Sequence, residues 1–201
     1  MMPALRSRVV AAAMPLALAG LVAGASGAHA TTVKTYFDCR VFGTTGLAYA
    51  LLVDADAPAE VGKRGTFDVT FDPAPITPNP AYNQEVRDVR IQFKLPEGAT
   101  VVSHEVADGG AAGTPTLEVS GTRAVLTAAG PYVSNQAFDL PKVTFTLRAG
   151  AKKTTLETAI GGTSHDDPGF TWNFTPPSST TEGTLACWPD QPIALTKTVV
   201  K

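Results

Sequence analysis

Thr32-Val33-Lys34-Thr35-Tyr36-Phe37-Asp38-Cys39-Arg40-Val41-Phe42 alternates strictly between two kinds of side chain. Val33, Thr35, Phe37, Cys39 and Val41 fall on one side, and Lys34, Tyr36, Asp38 and Arg40 fall on the other. That period of two is a β-strand with one face turned to a core. Cys39 sits on the apolar side. The only other cysteine, Cys187, lies near the far end of the chain. A disulfide between them would tie the first strand to one of the last, with Cys187 facing inward beside Leu185. Closing a loop of that length is worth roughly 5 kcal/mol in the chain-entropy model. The spacing predicts Cα atoms about 4.4–6.8 Å apart. A zinc or redox pair fits less well, because no C-x-x-C is present and zinc needs more ligands at closer spacing.

A disulfide implies an oxidising compartment, and the N-terminus agrees. Arg6 and Arg8 form a basic region, Val9 to Val22 is apolar, and Ala28-His29-Ala30 matches an A-x-A cleavage site. Residues 1–30 therefore read as a secretory signal peptide, and 31–201 as a single β-sandwich domain. The apolar stretch is shorter than the ~20 residues of a spanning helix, and no transmembrane segment is expected after cleavage. The full chain carries 16 Lys+Arg against 18 Asp+Glu, interspersed without runs. Nothing in that pattern resembles the clustered cations of a nucleic-acid surface.

Strand patterns recur along the mature chain, separated by turn residues. They cover Leu47–Ala55, Thr66–Asp72, Val86–Leu95, Val101–Val106, Thr116–Val119, Ala124–Thr127, Val143–Leu147, Thr154–Ile160, Phe170–Phe174 and Thr184–Trp188. Ile193–Val199 reads as a final edge strand, Pro58–Gly65 as a turn, and the proline-rich Pro73–Glu85 as a loop. Ser120-Gly121-Thr122 reads as a tight hairpin turn. No ten-residue stretch has helical periodicity. The expected class is all-β: an antiparallel, immunoglobulin-like β-sandwich closed by one disulfide.

Four short motifs carry a resemblance: Thr35-Tyr36-Phe37-Asp38-Cys39, Leu95-Pro96-Glu97-Gly98-Ala99-Thr100, Leu140-Pro141-Lys142-Val143-Thr144-Phe145 and Ala186-Cys187-Trp188-Pro189. Together they resemble a group of exported actinobacterial immunoglobulin-like β-sandwich proteins, mostly uncharacterised. The resemblance implies export, a sandwich fold and life in the envelope or outside the cell. It implies no catalytic residues. Trp172 stands just before the second cysteine and not midway between the two, which departs from the antibody pattern.

Candidate chemistry is sparse. Ser164-His165-Asp166-Asp167 places three triad residue types side by side, but a relay assembles from separate parts of a chain. His165 with Asp166 or Asp167 could hold a metal; a solvated turn before Pro168-Gly169 accounts for the same residues. His104 alternates with Val102 and Val106 and is expected half-buried. Asp54, Asp56, Asp68 and Asp72 are acids at strand ends without a calcium-loop pattern, and 18 acids offer too many pairs for a glycosidase pair to stand out. Asn173-Phe174-Thr175 matches a glycosylation acceptor within a strand, where it reads as incidental. Catalytic and metal residues are therefore expected to be none, with no cofactor. Tyr82, Tyr132 and Trp188 are the expected ligand or interface surface. The expected function is a secreted or envelope-associated, non-enzymatic protein acting through its surface on an envelope or extracellular partner or glycan. A glycan- or apolar-ligand-binding module is the alternative, and a secreted hydrolase the remote one.

Overall fold

The alternation along Thr32–Phe42 becomes β1 (Thr31–Val41), with Thr35, Phe37 and Cys39 buried and Lys34, Tyr36, Asp38 and Arg40 exposed. The computed structural model describes residues 30–107, 110 and 112–201. Apart from Ala30, the expected leader lies outside the described residues. The remaining strands are β2 (Thr45–Asp56), β3 (Glu60–Val61), β4 (Thr66–Pro73), β5 (Glu85–Lys94), β6 (Ala99–Val106) and β7 (Thr116–Ser120). They continue as β8 (Arg123–Ala128), β9 (Tyr132–Val133), β10 (Val143–Ala149), β11 (Thr155–Ile160), β12 (Phe170–Thr175), β13 (Gly183–Pro189) and β14 (Ala194–Val200). The described residues contain no helix.

The strands follow one ladder in the order β3-β14-β11-β5-β12-β13-β1-β2-β4-β10-β6, with β8 and β9 also pairing β5 and β7 pairing β8. Every pairing is antiparallel except β14 with β3. The ladder curls over itself into a sandwich. Phe71 of β4 stacks on Phe93 of β5 with centroids 4.6 Å apart, although the path between those strands runs through β12, β13, β1 and β2. Phe37 and Tyr49 meet Phe170 in the same interior, at 6.0 and 5.3 Å. Alternate residues of the ladder thus bury one continuous apolar core, which is the main favourable term in folding.

The disulfide joins neighbouring strands of this ladder. Cys39 lies directly opposite Cys187 in the β1–β13 register, and Leu185, Cys187, Phe37 and Cys39 are all buried. The Phe42 amide donates to the Thr184 carbonyl, and the Asp190 amide to that of Tyr36. Both pairs are an odd number of residues from the cysteines, which therefore occupy a non-hydrogen-bonded site, where opposed Cα atoms come closest. The Cα separation is 4.0 Å, below the expected window for that reason.

Several expectations change in detail. Ile193–Val199 is not an edge strand. β14 is covered by β3, formed from the stretch read as a turn, through Val199 N–H to Ala59 O and Lys201 N–H to Val61 O, both 2.9 Å. Leu47 faces the same way as Leu51 and Val53 but is exposed, because β4 joins β2 only from Val53 onward. His104 is exposed, not half-buried. The β6–β10 register shifts between Val101 and Ser103, so Val102 is the extra residue of a bulge and the alternation breaks. His104 lies opposite Phe145 on the last strand of the ladder.

Burial of Tyr49 against Phe170 pushes its phenol up from 10.0 to about 12. Below pH 10.0 the phenol is neutral in both folded and unfolded chains, and the fold keeps its full stability. Above that the unfolded chain ionises first, so stability falls as pH rises through about 12. Denaturation at graded alkaline pH should show a shallower decline for Tyr49→Phe. Tyr132, whose phenol burial also raises, contributes in the same direction.

Candidate functional site

The side of the ladder turned away from the core carries the functional candidates. Its register aligns Thr127 of β8, Arg90 of β5, Thr171 of β12, Ala186 of β13, Arg40 of β1 and Gly46 of β2 in one transverse row. The neighbouring positions on this face are Gln92, Trp188, Asp38 and Ala48. Beyond them Tyr36 is 49% exposed, and the Lys34 ammonium sits 4.8 Å from its ring centroid. That contact leaves one ring face available for an approaching group.

A loop folds over part of this face. Residues 161–169 connect β11 to β12, and the backbone of Gln92 holds both ends. Gly161 N–H donates to Gln92 O at 2.7 Å, and Gln92 N–H donates to Gly169 O at 2.8 Å. The neck is tight: a Cβ on Gly162 would lie 2.1 Å from the Gly169 nitrogen, so only glycine permits this approach. Within the loop, Thr163 N–H donates to Asp167 O at 2.8 Å and the Asp167 carboxylate pairs with Arg123 at 3.3 Å. A Cβ on Gly43, in the β1–β2 turn, would lie 3.6 Å from His165 Nε2. Ser164-His165-Asp166-Asp167 is thus a turn, as its Asp, Pro and Gly content implies. It also forms a roof over the sheet.

Between roof and sheet lies a cavity of about 240 Å³. Arg90, Gln92 and Thr171 line it from the strands, Arg123 and Val125 from β8, and Asp166 and Pro168 from the loop. Gln92 is buried, and its Oε1 has no hydrogen-bond partner. Such an atom is costly to leave unpaired. Arg123 is engaged by Asp167, whereas Arg90 forms no ion pair among the described residues. Trp188 borders this region: Phe170 lies opposite Cys187, which places Gly169 beside Trp188. Its side chain is half-buried.

The three aromatics expected to form a surface do not converge. Trp188 lies on the outward face near the Gln92 end of β5. Tyr82 is 70% exposed in the turn before Glu85, at the opposite end of that strand. Tyr132 is not at the surface: it is 5% exposed, pairs with Val86 through β9, and stacks on Phe138 at 3.8 Å. Its place in a loop-like stretch between β8 and β10 hid a short strand that packs inward.

Other candidates have structural partners. Asp54 accepts from Thr32, Asp68 accepts from Thr146 at 2.7 Å, and Lys142 pairs with Asp72 at 3.1 Å. Asn173 is tied into the sheet, donating to Asp88 at 3.1 Å and accepting from Thr184 at 3.0 Å. Asp56 Oδ1 and His165 Nδ1, by contrast, are buried and lack a partner. No group of three or more His, Cys, Asp or Glu suited to a metal occurs among the described residues. Sequence reasoning missed Tyr36, Arg90 and Gln92. The parity of β1 and β5 marks them as outward-facing, but only the loop gives two of them a cavity to line.

Neither a scan against family models nor a search of curated proteins finds a match to this chain. Solved structures do resemble it. One is a protein of Corynebacterium diphtheriae described as membrane-anchored, with a TM-score of 0.58 at 14% identity, covering 85% of this chain and 38% of that one. Another is the collagen-binding domain of the surface protein RspB of Erysipelothrix rhusiopathiae, with a TM-score of 0.37 at 14% identity, covering 88% of this chain and 60% of that one. The chain thus spans less than two thirds of either neighbour. The first likeness supports the fold, and the second is too distant to carry an argument. What the coordinates and the first neighbour establish together is an all-β, mostly antiparallel sandwich with one disulfide, a fold shared with a protein described as membrane-anchored.

Proposed function

We propose that this protein is exported and acts without catalysis in the cell envelope or outside the cell, binding its partner through the outward face of β1, β13, β12 and β5. The observation that carries this reading is the exposed Tyr36 beside the half-buried Trp188, next to a cavity whose polar groups are not all used by the fold. The leader-like N-terminus and the disulfide support an extracellular setting, and a neighbour described as membrane-anchored is compatible with it. Aromatic rings on a rigid sheet offer contact area at little entropic cost, and Asp166 is the one carboxylate lining the cavity.

A glycan is the favoured class of partner, because sugar rings present C–H faces to aromatic side chains and hydroxyls to polar ones. The test is retention of the purified mature protein on insoluble envelope polysaccharide. Wild type should be retained, and Trp188→Ala should lose most retention while keeping the wild-type circular dichroism spectrum and melting temperature. Absence of retention on any envelope fraction, or turnover of ester, glycoside or peptide substrates above a heat-inactivated control, would remove the proposal.

A further inference from the structure

Resting on that reading, we infer that the cavity beneath the Gly161–Gly169 loop is a subsite for the carboxylate-bearing sugar of an acidic glycan. A cation and an anion face each other across it, Arg90 from the sheet and Asp166 from the loop. On the sheet side, Arg90 presents a guanidinium with no carboxylate partner among the described residues. Its planar fork matches a carboxylate in two parallel hydrogen bonds. Arg123 is paired with Asp167 at 3.3 Å, which leaves Arg90 as the uncompensated cation of that wall. On the loop side, Asp166 can only accept hydrogen bonds when ionised.

Gln92 completes the pattern. Its side chain is 9% exposed, lines the cavity, and has no partner for its oxygen. Buried amides in native proteins are nearly always bonded, so this one awaits a donor. A Cβ on Gly161 would come within 2.5 Å of the Gln92 Nε2, so the facing glycine leaves room for the amide.

These groups fit a ligand that is anionic at one end and rich in hydrogen-bond donors at the other. A uronic acid meets both conditions. Its carboxylate turns toward Arg90 and away from Asp166, and its ring hydroxyls donate to Asp166 and Gln92. A peptide carboxylate also satisfies Arg90, but its N–H donors are spaced along the chain, whereas a pyranose ring carries several hydroxyl donors beside its carboxylate. The volume of about 240 Å³ suits one sugar residue and not a long segment. Trp188, beside Gly169 at the border of the cavity, then faces the adjoining residue of the same chain.

The experiment is calorimetric titration of the mature protein with three probes: trigalacturonate, its methyl ester, and a tripeptide with a free C-terminal carboxylate. Trigalacturonate should bind at least about tenfold tighter than its ester. Arg90→Gln should weaken trigalacturonate to about the affinity of its ester and so abolish that difference. Gln92→Met, which keeps the side-chain volume, should weaken both sugars, and Trp188→Ala should weaken both alike. Melting curves matching wild type are required of each variant. Equal affinity for acid and ester, an Arg90→Gln variant that still discriminates, or peptide binding as tight as sugar would each overturn the inference. If trigalacturonate does not bind while envelope polysaccharide still retains the protein, the subsite assignment fails and the surface-binding function stands. Loss of both defeats both.

Discussion

Reduction of the Cys39–Cys187 bond is expected to lower the melting temperature by on the order of 10 °C while leaving strand content below the transition unchanged. The bond closes a loop with a sequence separation of 148. Chain entropy assigns about 5 kcal/mol to that closure, against roughly 5–15 kcal/mol for a whole domain. In the folded state the two strands are already neighbours, held by the backbone pairs on either side of the cysteines. The cross-link therefore acts mainly by restricting the unfolded chain, which is why strand content should survive reduction. Cys39→Ala with Cys187→Ala should reproduce the effect without reductant. Titration of free thiols in denatured, unreduced protein supplies the control. Two reactive thiols per chain, or an unchanged melting temperature after reduction, would refute the assignment.

Truncating Phe93 to alanine is expected to cost about 3–5 kcal/mol of stability, enough to threaten folding at growth temperature. Phe93 is fully buried and stacks on Phe71 at 4.6 Å with an interplanar angle of 6°, so it joins the two layers directly. It also lies on β5, which pairs with β8, β9, β11 and β12. Both halves of the sandwich would line the resulting cavity, and neither can collapse into it without shifting several ladders. Urea unfolding should show the midpoint drop for Phe93→Ala, a smaller drop for Phe93→Leu, and almost none for the outward neighbour Lys94→Ala. Comparable losses for Phe93→Ala and Lys94→Ala would show that the interior is not organised around this pair.

The strands and the disulfide were legible in the sequence because both rest on local information. Period-two alternation in β1, β4, β5 and β10 reports directly which residues face a core, and a chain with two cysteines has one intramolecular pairing. The two-residue strands β3 and β9 were not legible. Such short segments have no periodicity, and their pairing partners, Val199–Val200 for β3 and Glu85–Val86 for β9, are remote in sequence. For the same reason Tyr132 was misread as exposed: nothing beside it in sequence announces that Phe138 will stack on it.

The candidate site divides along the same line. Residue types and strand parity alone place Tyr36, Arg90, Gln92 and Trp188 outward, and the Asp-Asp-Pro-Gly sequence marks a turn after β11. Tertiary structure decided that this turn folds back over the sheet, that the Gln92 backbone clamps both of its ends, and that Gly162 and Gly169 meet closely enough to seal its neck. The reason is physical. Which way a strand faces is set by its own alternation. Which strands become neighbours, and what a loop covers, is set by a core assembled from residues scattered between Phe37 and Val200.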